Sequence, residues 1–266
     1  PVDGSVPMNV LVFDIETVPD LEGGSRIYDL HGLSDKDTAS ALFNLRRQEN
    51  GSEFLRLHLH RVVAISVVLR SAQGVKVWSL GDEDSTEKEL IERFYDGIDR
   101  FTPQIVSWNG GGFDLPVLNY RALKHGVVAR RFWETGNEDT SFRFNNYLSR
   151  FHQRHLDLME QLAMFNGRAN APLDQIATLL GFPGKMGMSG AKVFDTFQAG
   201  DLKAIRDYCE TDVLNTWLVF LRFQMLRGEL DATGYQAELD LLRDYLKAEG
   251  HPHFLSFLEA WEAAGN

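Results

Sequence analysis

Apolar residues run unbroken through Val10-Leu11-Val12-Phe13 and then give way to Asp14-Ile15-Glu16-Thr17. A short apolar run of this kind predicts a buried strand over 10–13 that ends in two acids, and alternate side chains of a strand share a face, so Asp14 and Glu16 point the same way. Pro19 to Glu22 and a Gly-Gly turn are expected next, then a helix over 34–48 with Ser34 as its cap and Asp37 three residues on. Val- and Ile-rich segments at 61–69 and 75–80, separated by Ala72-Gln73-Gly74, predict an antiparallel pair. Leu90, Ile91, Phe94, Ile98 and Phe101 recur at helical spacing and predict an amphipathic helix over 86–101. A strand over 104–108 runs into Asn109-Gly110-Gly111-Gly112-Phe113-Asp114 and a helix over 115–125. The stretch 127–150 is irregular, 155–158 reads as a short strand, and 172–180 as a short helix followed by a flexible loop over 181–190 that carries Lys185. Asp201 caps a long helix to about residue 227, and two further helices are expected over 231–248 and 254–263.

Side-by-side carboxylates repel, and a divalent cation with oxygen ligands is the common way to hold them together. Asp14 and Glu16 alone would equally suit a solvated turn or a helix cap, so the downstream acids decide. Asp114 follows three glycines, which let the backbone pack tightly or approach a ligand, and it lies where a helix begins. Tyr208 and Asp212 are four apart and share a helix face beside Ile205, Val213, Trp217 and Phe220, so they require a partner. Asp157 reads either as a further site residue or as a turn residue and is not counted with the site.

Composition narrows the choices. A chain of 266 residues with 44% hydrophobic content supports one substantial core. No apolar run approaches bilayer length and no signal peptide is evident, so a cytoplasmic protein with no membrane partner is expected. Pro1 to Pro7, ahead of Met8, is read as an expression remnant and left out of the fold. The single cysteine, Cys209, excludes an internal disulfide and a Cys-based zinc site. A net charge of −11 argues against a protein that coats DNA through a broad basic surface, yet two bound divalent cations would offset four of those charges at the site itself. Local basic groups remain at Arg46 and Arg47, along Arg56, His58, His60 and Arg61, and at Arg130 and Arg131 beside Phe132 and Trp133. Aromatic and basic residues interleave over 127–150, a pattern that serves either a loop packed on the core or a single-strand contact. No phosphate-cradling loop ending in Lys-Ser or Lys-Thr occurs, which disfavours a P-loop nucleotidase.

Asp-x-Glu, then Asn-x-x-x-Phe-Asp, then Tyr-x-x-x-Asp, in this order, resembles the DEDDy branch of the 3′→5′ exonucleases. That ribonuclease H-like group includes the proofreading domains of family-B DNA polymerases, and the chain resembles more closely the stand-alone proteins related to that domain, over roughly residues 10–227. The sister branch carries a histidine five residues before its last acid, where this chain has Asp207. The resemblance implies an α/β fold with a ribonuclease H-like mixed sheet flanked by helices, an exonuclease domain over 8–228, and a C-terminal helical extension of the same domain over 229–266. It implies two divalent cations, Mg2+ or Mn2+: Asp14, Glu16 and Asp212 would hold one, and Asp14 would bridge to a second that Asp114 reaches. Tyr208 would orient the attacking water, Thr17, Asn109 and Phe113 would hold or stack the terminal nucleotide, and Lys185 would touch phosphate. The implied reaction releases nucleoside 5′-monophosphates from the 3′ end of single-stranded DNA. An RNA exonuclease of ribonuclease D type and a non-catalytic nucleic-acid-binding module are the competing readings. Too few residues follow the long helix for a complete polymerase.

Overall fold

In the computed structural model, which describes residues 9–265, five strands form one mixed sheet in the order β3-β2-β1-β4-β5. Residues 1–8, including the segment set aside above, and residue 266 lie outside the described residues. The strands are β1 (Val10–Pro19), β2 (His60–Ser71), β3 (Gly74–Ser79), β4 (Gln104–Ser107) and β5 (His155–Asp157). β1–β2 and β2–β3 pair antiparallel, whereas β4 lies parallel to both β1 and β5. Helices cover both faces, giving the α/β ribonuclease H-like mixed sheet expected from the sequence.

β1 is longer than its apolar run predicts. It stays paired with β2 as far as Pro19, with one irregularity at Glu16/Thr17, while β4 accompanies it only from Val10 to Val12. The two acids therefore lie within the strand rather than at its end, on the part of β1 that has lost its β4 neighbour. Strand alternation then sorts the side chains. Leu11, Phe13 and Ile15 enter a core with Leu90, Ile91, Phe94 and Ile98 of α3 (Glu87–Phe101) and Val117 and Leu118 of α4 (Asp114–His125). Val10 and Val12 enter the opposite core with Val213, Leu214 and Trp217 of α8 (Leu202–Leu226). Asp14 and Glu16 share the parity of Val10 and Val12, so the strand aims them at α8.

Between β1 and β2 stand α1 (Leu21–Tyr28) and α2 (Asp35–Asn50). Gly23-Gly24 lies inside α1 and is not a turn. Asp20 caps that helix by accepting from the Gly23 N–H, and a Cβ on Gly24 would fall 2.6 Å from Leu42 Cδ1, so the glycine serves close packing of α1 on α2. Ser34 caps α2 as expected, accepting from the Asp37 N–H, and Thr86 with Glu89 forms a complete capping box on α3. In the stretch 127–150, Phe132, Phe142 and Tyr147 are core residues, while Trp133 and Phe144 are exposed. Two short helices that the sequence pattern did not mark, α5 (Leu158–Leu162) and α7 (Val193–Gln198), flank α6 (Leu173–Leu179).

The C-terminal helices α9 (Ala232–Glu249) and α10 (Pro252–Ala263) close the α8 side of the sheet. Tyr245 Oη accepts from the Val77 N–H at 3.0 Å and donates to the Val77 carbonyl at 3.1 Å, so one side chain satisfies both backbone groups of Val77 on the open edge of β3. Arg70 of β2 forks onto Glu238 through two 2.9 Å hydrogen bonds. His253 reaches Glu210 of α8 at 2.9 Å, and Ser79 donates to the other oxygen of that carboxylate. No helix among the described residues is long and apolar enough to cross a membrane.

Candidate active site between β1, α4 and α8

Four carboxylates separated along the chain meet at this junction. Asp14 and Glu16 come from β1, Asp114 is the first residue of α4, and Asp212 lies on α8 one turn after Tyr208. Glu16 and Asp114 are buried, and Asp14 and Asp212 nearly so. Burial raises all four acids above the ordinary carboxylate range, and their mutual repulsion adds to it: Asp114 acts on Asp14; Asp14, Asp212 and Asp114 act on Glu16; Asp14 acts on Asp212. Asp114 is pushed up to about 7 by desolvation and by Asp157, against a hydrogen bond with Asp14 and two with backbone N–H groups. Its Oδ2 atom is fully buried with no hydrogen-bond partner. Burial, then Asp212, Glu16 and Asp14, push the Tyr208 phenol far above its usual range, so it stays protonated and donates to Asp212. Cys209 packs beneath the pair, its thiol 3.8 Å from Asp14 Oδ2 and 3.5 Å from the Asp14 carbonyl.

The glycine turn that delivers Asp114 is held from below by β5. Asp157 accepts from the Asn109 N–H at 2.9 Å and the Gly111 N–H at 3.0 Å, clamping both sides of the turn. Ser107 Oγ accepts from the Gly110 N–H and bonds His155 Nε2 at 2.8 Å, and a Cβ on Gly110 would meet that hydroxyl at 2.3 Å. Asn109 adopts the left-handed conformation, φ 63°, and its carbonyl accepts from Gly112 and Phe113. Asp157 thus supports the acid turn. Its position as an acid at the end of a predicted short strand was the available sequence signal. Phe113, not Asp114, occupies the cap position of α4 and makes no side-chain cap bond, which leaves the Asp114 carboxylate free for the cleft.

Of the other candidate residues, Thr17 lies on β1 just past Glu16. His60 Nε2 bonds the Leu55 carbonyl at 3.0 Å and so must carry the proton; Nδ1 is then an acceptor and the Thr17 hydroxyl donates to it at 2.8 Å. Burial lowers the His60 pKa and keeps the ring neutral. Phe113 packs edge-on against His60 and beside Phe54, and Phe54 is half-exposed and belongs to the segment between α2 and β2. Lys185 lines a cavity of about 170 Å³ together with Tyr208, Asp212 and Asp174, and its charge opposes the rise of the Asp212 pKa. The loop that carries Lys185 is tethered and not free: Asn215, buried on α8, accepts from the Gly184 N–H and donates to the Gly184 carbonyl. Asn215 falls three residues after Asp212 on the helix, a spacing that identifies it in retrospect.

The donor set suits a divalent cation. It consists of hard carboxylate oxygens, one of them buried and unpartnered, in a cluster with excess negative charge; Asp14, Glu16 and Cys209 each bring a ligand atom within 4.8 Å of the others. A family model described as a predicted 3′-5′ exonuclease related to the exonuclease domain of PolB matches residues 52–261. Asp114, Tyr208 and Asp212 lie inside the matched span, and Asp14 and Glu16 precede it. DNA polymerase 1 of Sulfurisphaera ohwakuensis is 31% identical over 136 residues, covering 48% of this chain and 14% of the polymerase. The similarity thus spans about one seventh of that relative.

Proposed function

The chain belongs to the family of predicted 3′-5′ exonucleases related to the exonuclease domain of PolB, and on that premise we propose a metal-dependent enzyme of the DEDDy type that removes nucleoside 5′-monophosphates from the 3′ end of single-stranded DNA. The observation that carries the reading is the convergence of four buried, mutually repelling carboxylates from β1, α4 and α8 on one cleft. We assign residues 8–228 to the exonuclease domain and 229–266 to a helical extension of it.

Asp14, Glu16, Asp114 and Asp212 would hold two divalent cations, Mg2+ or Mn2+, which supply charge neutralisation and Lewis-acid activation of the attacking water. The remaining steps belong to side chains of the chain. A phenol held protonated and tied to Asp212 suits Tyr208 to orienting that water and not to taking its proton. Thr17 spends its hydroxyl hydrogen on His60 and keeps its oxygen lone pairs for the donor that a terminal 3′-hydroxyl offers. Phe113, braced by His60 and Phe54, offers a ring face for the terminal base, and Asn109 sits on the turn beside it. Lys185 places positive charge opposite Asp212, where the scissile phosphate needs it. Hydrolysis breaks the P–O3′ bond and leaves the phosphate on the released nucleotide. The test is digestion of matched 5′-labelled DNA and RNA single strands with Mg2+, with Mn2+, with chelator, and with the D14A variant. A metal-dependent ladder that shortens from the 3′ end of DNA is expected. Shortening of RNA alone would replace the substrate assignment, and no cleavage of either strand would overturn the reading.

A further inference from the structure

Beside the acid turn, the surface carries an aromatic patch on a backbone that ordinarily disfavours it. Met164 and Phe165, directly after α5, both adopt left-handed conformations with φ 54° and 58°, a region where bulky residues are rare and glycine is the usual occupant. The Phe165 N–H closes onto the Glu160 carbonyl as a helix-ending bond, which locks the strained pair in place. Core burial does not explain the side chains presented there: Met164 is 82% exposed and Phe165 36%. Phe151, 73% exposed, meets Phe165 with ring centroids 5.4 Å apart. The Arg150 guanidinium lies 4.7 Å from the Phe165 ring centre and 5.8 Å from that of Phe151.

The patch continues into the site already described. Arg150 pairs with Glu160 at 3.3 Å, and another oxygen of Glu160 lies 3.8 Å from the point where Gly111 would carry a Cβ. Gly111 stands three residues before Asp114 on the turn that Asp157 clamps. One ion pair therefore separates the aromatic patch from the rim of the cleft.

We propose that Arg150, Phe151 and Phe165 form a stacking platform for the single strand upstream of its 3′-terminal nucleotide. The inference rests on the proposed nuclease reading and adds a second contact region to it. Two exposed rings and a guanidinium match what an extended strand presents, since every base has a π-face whatever its sequence and every linkage carries a negative phosphate. A strand held here and at the cleft would be bound more tightly than a fragment that reaches the cleft alone.

The test measures, in chelator, the affinity of a labelled oligothymidylate of about twenty nucleotides and of a trinucleotide, using F151A/F165A, F165G and, as a control nearby, L162A. The longer strand is expected to bind the native protein more tightly, and the double variant to lose roughly tenfold of that affinity. F165G relieves the left-handed strain and is expected to weaken binding while its melting temperature stays level or rises, an outcome that a purely structural role for the ring would reverse. Equal affinity for the two lengths, or full affinity retained in F151A/F165A, overturns the platform. Neither result bears on the chemistry at the acids, which is judged separately by metal-dependent shortening of the same long strand.

Discussion

Asp114 has one carboxylate oxygen buried without a partner and a pKa raised to about 7, while Asp14, Glu16 and Asp212 are raised with it. Each acid binds its proton more tightly in the folded than in the unfolded chain. In the metal-free protein the stability these four acids contribute is therefore fully present below about pH 4 and is lost as pH rises through their folded pKa values, by up to about 1.4 kcal/mol per pH unit for each proton held. Melting temperature in chelator should fall between about pH 5 and pH 8, and added Mg2+ or Mn2+ should restore more at the upper end; a flat profile would show that burial and mutual repulsion do not raise these acids. By the same logic D14A relieves repulsion: it should remain folded, with a melting temperature in chelator at or above that of the native protein, while cleavage falls on the order of 10³-fold or more. Y208F should slow cleavage about 100-fold with metal affinity intact, and a loss of affinity matching that of D212A would sink the assigned role.

At the scale of elements, α8 is the organising piece, because one face of it carries Tyr208 and Asp212 to the acids while Asn215 anchors the Lys185 loop. N215A should cost about 1–3 kcal/mol through two lost buried hydrogen bonds and should raise KM more than it lowers kcat, read by thermal melts and steady-state kinetics. β1 and α4 are joined by a second buried device. Arg121 of α4 bonds Asp20, just past β1, at 2.7 Å and forks onto Glu87 of α3, which also accepts from the Val62 N–H. R121M removes the guanidinium that bridges the two buried carboxylates, leaving Asp20 to Lys124 and Glu87 to His125, and should destabilise by about 3 kcal/mol in denaturant titrations. The helix caps at Ser34 and Asp201 were legible in the sequence, since such signals act within one turn. Gly23-Gly24 was misread as a turn because its requirement for glycine comes from Leu42 of another helix.

For the whole molecule, α9 and α10 act as a lid on the core. They cover the Trp217 side of the sheet and, through Tyr245, satisfy the backbone edge of β3. A chain ending at residue 228 should expose that apolar face and the unpaired strand edge, and should aggregate or lose its cooperative melting transition. A truncated protein that stayed monomeric and melted cooperatively would show the helices to be a separable addition.

What the sequence by itself determined was local: the apolar run of β1, the alternation that puts Asp14 and Glu16 on one face, the four-residue spacing of Tyr208 and Asp212, and the helix caps at Ser34 and Asp201. These follow from neighbours within a turn or a few strand residues, and the acid motifs were specific enough in combination to indicate the family. Tertiary structure alone decided that β1 outruns β4 and so opens a cleft at its acids, that Asp157 holds the glycine turn, that Asn215 pins the Lys185 loop, and that Arg150 lies beside the paired rings of Phe151 and Phe165. Each of those depends on strand pairing or on contacts between separate elements, and a side chain's burial and pKa exist only once the chain has folded around it.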